Sequence, residues 1–467
     1  MSSARIYLDH AATSPLRPEA RSAMAGCWAL GPANSSSAHA EGRAARGLLA
    51  EARARVAALV GARAEEVFFT SGATEASNLA VRGAARARAT AGRQIVSTRL
   101  EHAATKRACE ALAAEGWRVT LLGADVFGRV DPRELARAVT RETAVASVIA
   151  AHNEIGTVQQ LAALADAAHA AGALLHLDAV QAVGVMDPST IPWDLLSLSA
   201  HKLGGPQGIG ALVARGTPAL APVLVGGSQE RGLRPGTVPV ALAAGFGAAA
   251  VVALERRKEE AARLARLRDR LARLVLARLP GLRVVGAWSR SSHEALPHLL
   301  TLGVDGVHGD ELVPALDEAG IAASSAAACL GSVRSHVLEA IGLPERTGVM
   351  RFSLGWSTLE SEIEPAAERI AAAVQRLMAV PPFERRRRLI ASRAAEAGVA
   401  LTATHWQAAE AVFEFHSEVG VLPSARYLAG VLGNGTRLEH LFPEGLFTLA
   451  SWLDLPVPQG GCRPAGV

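Results

Sequence analysis

Across residues 65–212, short β-branched or apolar runs alternate with alanine-rich stretches of helical character. VFFT, QIVST, RVTLL, VASVIA, LLHLDAV, LLSLSA and GALVA read as buried strands, and stretches such as 132–139 and 161–171 as the helices between them. This alternation predicts an α/β domain on a mainly parallel sheet. Residues 236–254 are uncharged, rich in Gly and Ala, and carry Pro239, which predicts a buried helix in preference to a membrane span. A charged helix over 255–279 then leads to a smaller α/β part holding RVVG, HLLTLGV and a helix near 310–319, with Pro314 inside it. The character changes near Ala379. The Pro-led basic stretch PPFERRRRLIASR reads as a linker or as the first turn of a new element. The expected organisation is a first unit over 1–378, with a larger part at about 15–255 and a smaller part at 256–378 plus the N-terminal segment. A linker over 379–390 and a small, mostly helical appendage over 391–467 complete it.

Composition narrows the class. The chain has 467 residues, 50% apolar and 20% charged, with a net charge of +4, which excludes disorder as the main state. Its 44 glycines and 23 prolines are not periodic, so the chain is not fibrous. The pI of about 9.1 is a mild bias and not the mark of a dedicated nucleic-acid binder. Cys27, Cys109, Cys329 and Cys462 are far apart with no CxxC pair, which argues against a disulfide framework or a zinc site, so no metal is expected. A reduced, cytoplasmic setting follows, and MSSARIYLDHAATSPL lacks the apolar core of a signal peptide. The basic residues are nearly all arginine. Only Lys106, Lys202 and Lys258 can serve as an amine nucleophile.

Lys202 follows the run LLSLSA and precedes Gly204-Gly205-Pro206, where a strand ends in a tight turn, whereas Lys106 and Lys258 sit in charged helical stretches. Asp178 ends the strand LLHLDAV, and ligands of open α/β sheets gather at such ends. An aldehyde cofactor such as pyridoxal phosphate needs an amine to condense with and a carboxylate for its pyridine nitrogen. Thr70-Ser71-Gly72-Ala73-Thr74-Glu75 follows a strand and opens a helix, which suits a phosphate or a plain capping box. His102 offers a flat ring for stacking, or a structural histidine. Arg351 in a strand-like run needs an anion, either a substrate carboxylate or an internal salt bridge. Cys329 in SSAAACLGS is flanked by small residues, which argues for accessibility over inert burial.

Taken together, YLDHAAT, SGATEASN, EH at 101–102, NEIG, HLDAVQ, SLSAHK, ERGLRPGT, SSAAAC and RFSLG resemble, in order, the cysteine desulfurases of the class V aminotransferase type. The likeness spans about 5–378 and implies the type I fold of pyridoxal 5'-phosphate enzymes: a large, mainly parallel-sheet domain plus a small α/β domain. It implies that Lys202 bonds the cofactor aldehyde, Asp178 holds the pyridine nitrogen, and His102 stacks on the ring and moves protons. Ala73, Thr74, Ser199 and His201 match phosphate-binding positions, Ala200 stands among them where the family often has Gly, and Gln181 faces the cofactor hydroxyl. Thr237 matches a residue that reaches the phosphate across a homodimer interface. Asn153 and Arg351 match the pair that grips the carboxylate of L-cysteine, and Cys329 matches the nucleophile that takes its sulfur as a persulfide. The Cys329 loop looks about two residues shorter than in members with a long mobile loop.

The appendage resembles the TusE/DsrC sulfur-relay family through LTATHW, FEFHSEVGVLPSARYL, LFPEG and LPVPQGGC, over about 391–462. By that resemblance Cys462 matches the sulfur-carrying cysteine, and a desulfurase fused to its own acceptor is expected. Downstream acceptors would be an iron–sulfur scaffold or a tRNA-thiolation partner. Two alternatives stay open: a selenocysteine lyase or other class V aminotransferase, and an appendage that binds nucleic acid or protein, with ERRRR at 384–388 touching phosphates.

Overall fold

The computed structural model describes residues 5–453 and 455, apart from 33, 290, 292–293, 326–334 and 434–437. Cys329, its loop and Cys462 therefore lie outside the described residues. All seven runs expected as strands form one seven-stranded sheet. Its order is Val67–Thr70, Gly210–Ala214, Leu195–Ser199, Leu174–Asp178, Thr143–Ile149, Gln94–Thr98 and Arg118–Leu122. The last five run parallel, and Gly210–Ala214 is antiparallel to both of its neighbours. Most of these strands are buried along their whole length because helices cover both faces, which explains their unbroken apolar character. The fold is that of a type I pyridoxal-phosphate enzyme.

The two helices expected at 236–254 and 255–279 are one helix, Val240–Arg278. Pro239 stands at its N-cap, outside the hydrogen-bonded turns, and no breaker separates the uncharged half from the charged half. The boundary expected at 255/256 thus falls inside a continuous helix. Its first half packs on the sheet domain, where Phe246 meets Phe69 edge-on at 6.3 Å. Its second half lends Leu264, Leu267 and Leu271 to a second core. That core covers a three-stranded antiparallel sheet, ordered Thr347–Ser353, Leu299–Asp305, Arg283–Val284. The strand Ile6–Tyr7 pairs in parallel with Ile321–Ala322, which brings the N-terminal segment to this smaller part. Pro314 sits within Gly309–Glu318 without ending it.

Of the two readings of the stretch after Ala379, linker or first turn of a new element, the structure shows the second: the helix Pro382–Glu396, with Pro382 in its first turn, where a missing N–H costs nothing. Its Phe383, Ile390 and Ala394 share a core with Val412, Phe442 and Trp452 of the helical appendage. Arg385 fastens this helix to the smaller α/β part: its guanidinium donates to Gly306 O at 2.6 Å and lies 3.5 Å from buried Glu311. Arg386 is buried too, and Arg387 pairs with Glu384 and lies over the Trp406 ring. Arg385 and Arg386, counted on for phosphate contacts, are thus built into the fold. No helix among the described residues is long and apolar enough to cross a membrane.

Candidate active site

The parallel strands end together at one edge of the large sheet, and the site is assembled there. Asp178 closes Leu174–Asp178 and is in register with Ile149 on one side and Ser197 on the other. Ser199 is paired with Gly210, which is paired in turn with Thr70, so strand pairing sets Ser199 beside the loop Ser71-Gly72. Gly210 permits this approach: a Cβ there would lie 2.7 Å from Gly72 Cα and 2.5 Å from Leu198 O. Beyond Ser199 the chain makes a short 3-10 turn, Ala200–Leu203, and leaves it through Gly204 at φ 80°. A side chain at Gly204 would strike Arg17, so this turn requires glycine.

That turn directs Lys202 inward. Its Nζ donates to Ala11 O at 2.5 Å and Ala12 O at 2.7 Å, and Gln181 Nε2 donates to the same Ala11 oxygen at 2.9 Å. The YLDHAAT segment is therefore the floor on which Lys202 and Gln181 meet. Burial, aided by Arg351, lowers the Lys202 amine to about 8, against the opposing pull of Asp9 and Asp178. Roughly a tenth of the amine is then neutral at pH 7, whereas a lysine at 10.4 would be almost wholly charged. Burial raises the Asp178 carboxyl, while His102, the Val180 N–H at 3.2 Å and Lys202 favour its charged form. His102 is the N-cap of Ala103–Ala114. Its Nδ1 accepts from Ala104 N–H at 3.1 Å, its ring is exposed, and its charge acts on Asp178. His201 Nδ1 lies 3.1 Å from Thr13 Oγ1, and burial lowers its pKa to about 4, so this ring is neutral.

Ala73 and Thr74 open the helical run that follows Gly72, and their N–H groups are among the first-turn donors that no helix satisfies internally. Gly72 leaves open space in front of them. This donor set fits pyridoxal phosphate: an amine of lowered pKa, a buried carboxylate facing it, and a helix start with hydroxyls for the phosphate. Ala200 is fully buried and replaces glycine without blocking the turn. Thr237 is exposed, and no described contact joins it to the other site residues.

On the opposite wall, Arg351 donates to Asn153 O at 3.0 Å and to Asp9 Oδ1 at 2.9 Å, while its buried Nε has no partner. Of the two sequence readings of Arg351, the structure shows the internal ion pair, with Asp9, and places the Asn153 carbonyl beside it. Sequence reasoning gave Asp9 no role. It lies 342 positions from Arg351, and the two meet because the N-terminal segment pairs with Ile321–Ala322 and Asp9 bridges Ser353 of the smaller sheet. Three other groups were missed. Ser324 exchanges two backbone hydrogen bonds with Arg351 and donates its hydroxyl to Asp9 at 2.8 Å. Ser335, after the undescribed 326–334, donates to Glu154 at 2.5 Å. Glu101 is buried beside His102 with Oε2 unpartnered.

Of the described cysteines, Cys27 and Cys109 are buried; burial raises both thiols, Cys109 to about 12. Neither is a competent thiolate near neutral pH.

The buried carboxyls set a pH dependence. Burial raises Glu154 to about 7, partly offset by Ser335 and Arg351. Burial raises Glu101 to about 8 against Thr98 and the Ile149 N–H, with Asp178 adding to the rise. Both bind a proton more tightly folded than unfolded, where a glutamate titrates near ~4.3. Their contribution is fully present below that value and is lost as pH rises through 7 and 8. Buried His152, His176 and His298, lowered to about 3, act in the opposite sense as pH rises through ~6.5. The carboxyl part is therefore read from a variant: relative to the unaltered apoprotein, Glu101→Gln should lose less, or gain more, melting temperature between pH 6 and pH 8.5. Calorimetry at the two pH values checks it.

Comparison with known proteins agrees with this geometry. The family profile described as aminotransferase class-V matches residues 6–365. The cysteine desulfurase of Cereibacter sphaeroides is 41% identical over 389 residues, covering 81% of this chain and 98% of that one. The cysteine desulfurase IscS of Dictyoglomus turgidum is 36% identical over 385 residues, covering 81% and 97%. A solved NifS-like protein superposes with a TM-score of 0.74 at 30% identity, covering 79% of this chain and 99% of that one. With the lysine, aspartate and phosphate cradle at one sheet edge, these likenesses place the chain in the class V aminotransferases, a pyridoxal-phosphate-dependent family, and within it among the cysteine desulfurases.

Proposed function

We propose that the chain converts L-cysteine to L-alanine, takes the sulfur onto Cys329 and passes it to Cys462. The observation that carries the first part is the closeness of Lys202 to Asp178, Arg351 and Asp9, whose charges all act on its amine, with the Asn153 carbonyl on Arg351. Lys202, Asp178, His102, Gln181, Ser199, His201, Ala73 and Thr74 hold pyridoxal phosphate, and Thr237 serves the phosphate of a second copy in a homodimer. Bound there, the cofactor supplies an electron sink for the substrate's α-carbon.

The chain's own groups do the rest. Arg351 and Asn153 orient the substrate carboxylate, with Asp9 holding the guanidinium in place. Lys202, poised near neutral pH, removes and returns protons at the substrate carbon. Cys329 as thiolate attacks the substrate sulfur. A sulfur–sulfur bond forms, the carbon–sulfur bond breaks with its electron pair left on carbon, and a proton on that carbon completes alanine. Cys462 thiolate then attacks the outer sulfur of the persulfide and releases Cys329 as thiolate. The resemblance of 391–462 to the TusE/DsrC family supports this relay, and tethering raises the acceptor's effective concentration to about the millimolar range. Onward acceptors are an iron–sulfur scaffold or a tRNA-thiolation partner, in the cytoplasm. The test is incubation with isotopically labelled cysteine and mass spectrometry by residue: label appears on Cys329 first and Cys462 later. Label on Cys462 in a Cys329→Ser background would overturn the order.

Arg351→Ala removes a charge-assisted pair worth about 1.5–3 kcal/mol. KM for cysteine should rise roughly 10- to 100-fold with a smaller change in kcat, measured by steady-state alanine formation.

A further inference from the structure

The loop over 229–237 is held in a conformation that its own residues disfavour. Glu230 and Arg231 both have positive φ, at 45° and 56°, and neither is glycine. The Glu230 carboxylate, 2% exposed, is gripped by Arg53 at 2.5 and 2.7 Å and by the Phe69 N–H at 2.8 Å. Four residues on, Arg234 Nε donates to Glu75 Oε1 at 2.9 Å. The other Glu75 oxygen accepts the Ser71 N–H at 2.7 Å. Burial alone would raise the Glu75 carboxyl, but Arg234 and Ser71 more than offset it and hold it below its ordinary value, so Glu75 stays charged. Its two oxygens thus bridge the phosphate cradle, Ser71 to Thr74, and the loop that ends in exposed Thr237. The N-cap here is Gly72, so the Ser71 N–H lies one residue before the cap and this contact is not a plain capping box.

We propose that Glu75 and Arg234 are positioning residues that join the phosphate cradle and the Thr237 loop into one body, so that cofactor binding and pairing of two copies of this chain reinforce each other. This rests on the reading above of the cradle and of Thr237. Phosphate ordering Ser71–Thr74 fixes Glu75, Glu75 fixes Arg234, and the loop offered to the second copy is held in its docking conformation. By linkage the effect runs equally in reverse.

The experiment measures dimer dissociation by sedimentation, and pyridoxal phosphate affinity by equilibrium dialysis, on full-length apoprotein with and without the cofactor. In the unaltered protein the cofactor should tighten the dimer at least about tenfold. Glu75→Gln and Arg234→Met should each weaken cofactor affinity about tenfold, the scale of a lost charge-assisted pair, and make dimer dissociation independent of the cofactor. The double variant should be no worse than either single one, and Arg234→Lys should restore part of the linkage. A merely structural role would lower melting temperature and leave the linkage intact. The proposal is overturned by linkage and affinity within twofold of the unaltered protein in both variants. A cofactor-independent dimer or a cofactor-loaded monomer in the unaltered protein also overturns it. An unaltered protein that takes up no cofactor, seen as absent visible absorption, overturns the cofactor reading itself and this proposal with it.

Discussion

Lys202→Ala is expected to leave a folded protein without the visible absorption of lysine-bound cofactor and with alanine formation reduced by roughly 10³-fold or more. The structure singles out this lysine. Lys202 points inward from the Ala200–Leu203 turn onto the Ala11 and Ala12 carbonyls, and burial brings its amine to about 8. Lys106 and Lys258 lie on the helices Ala103–Ala114 and Val240–Arg278. In the proposed mechanism, removing the Lys202 amine removes both the group that bonds the aldehyde and the group that carries protons at the substrate carbon. Borohydride reduction followed by peptide mapping should find the cofactor on Lys202; its recovery on Lys106 or Lys258 would end the assignment. The neutral fraction of the amine grows about tenfold per pH unit below 8, so cofactor uptake by the apoprotein should quicken from pH 6 to 8 and then level off.

Cys329→Ser should keep the cofactor and still bind cysteine, yet release sulfide roughly 10⁴-fold more slowly, the scale on which loss of a covalent nucleophile falls. In the proposed mechanism binding rests on Arg351 and Asn153, which the substitution does not touch, whereas a serine hydroxyl cannot carry sulfur as a persulfide. Cys27 and Cys109 cannot substitute, being buried with raised thiol pKa values. Single-turnover measurement of persulfide by alkylation and mass spectrometry separates binding from transfer. Undiminished turnover would favour a lyase that does not use this cysteine. Cys462→Ser, by contrast, should leave the first transfer intact and abolish only labelling of the appendage.

Much of this was legible in the residues themselves. A strand buried on both faces writes itself as an unbroken apolar run, so six strands of the large sheet could be read locally in this way, and the half-exposed edge strand Arg118–Leu122 from its β-branched and apolar residues. Lysine scarcity and the glycines after Lys202 marked the amine, and the strand end marked Asp178, because ligand sites of parallel sheets lie where strands stop. Helix limits were less legible. The 39-residue helix Val240–Arg278 was read as two because its composition changes halfway, yet backbone hydrogen bonding ignores that change. The basic run at 384–388 read as part of a linker or of the first turn of a new element. Its Arg385 is buried against Gly306 and Glu311, partners far away in the chain that a linear reading cannot see. The same limit governs the site. Residue type and local spacing announced Lys202, Asp178, His102 and Arg351. Asp9 beneath Arg351, Glu154 on Ser335, and Glu75 between Ser71 and Arg234 owe their roles to approaches across the fold. Which charge a buried arginine or glutamate meets depends on how sheets and helices pack, and that is a property of the folded whole.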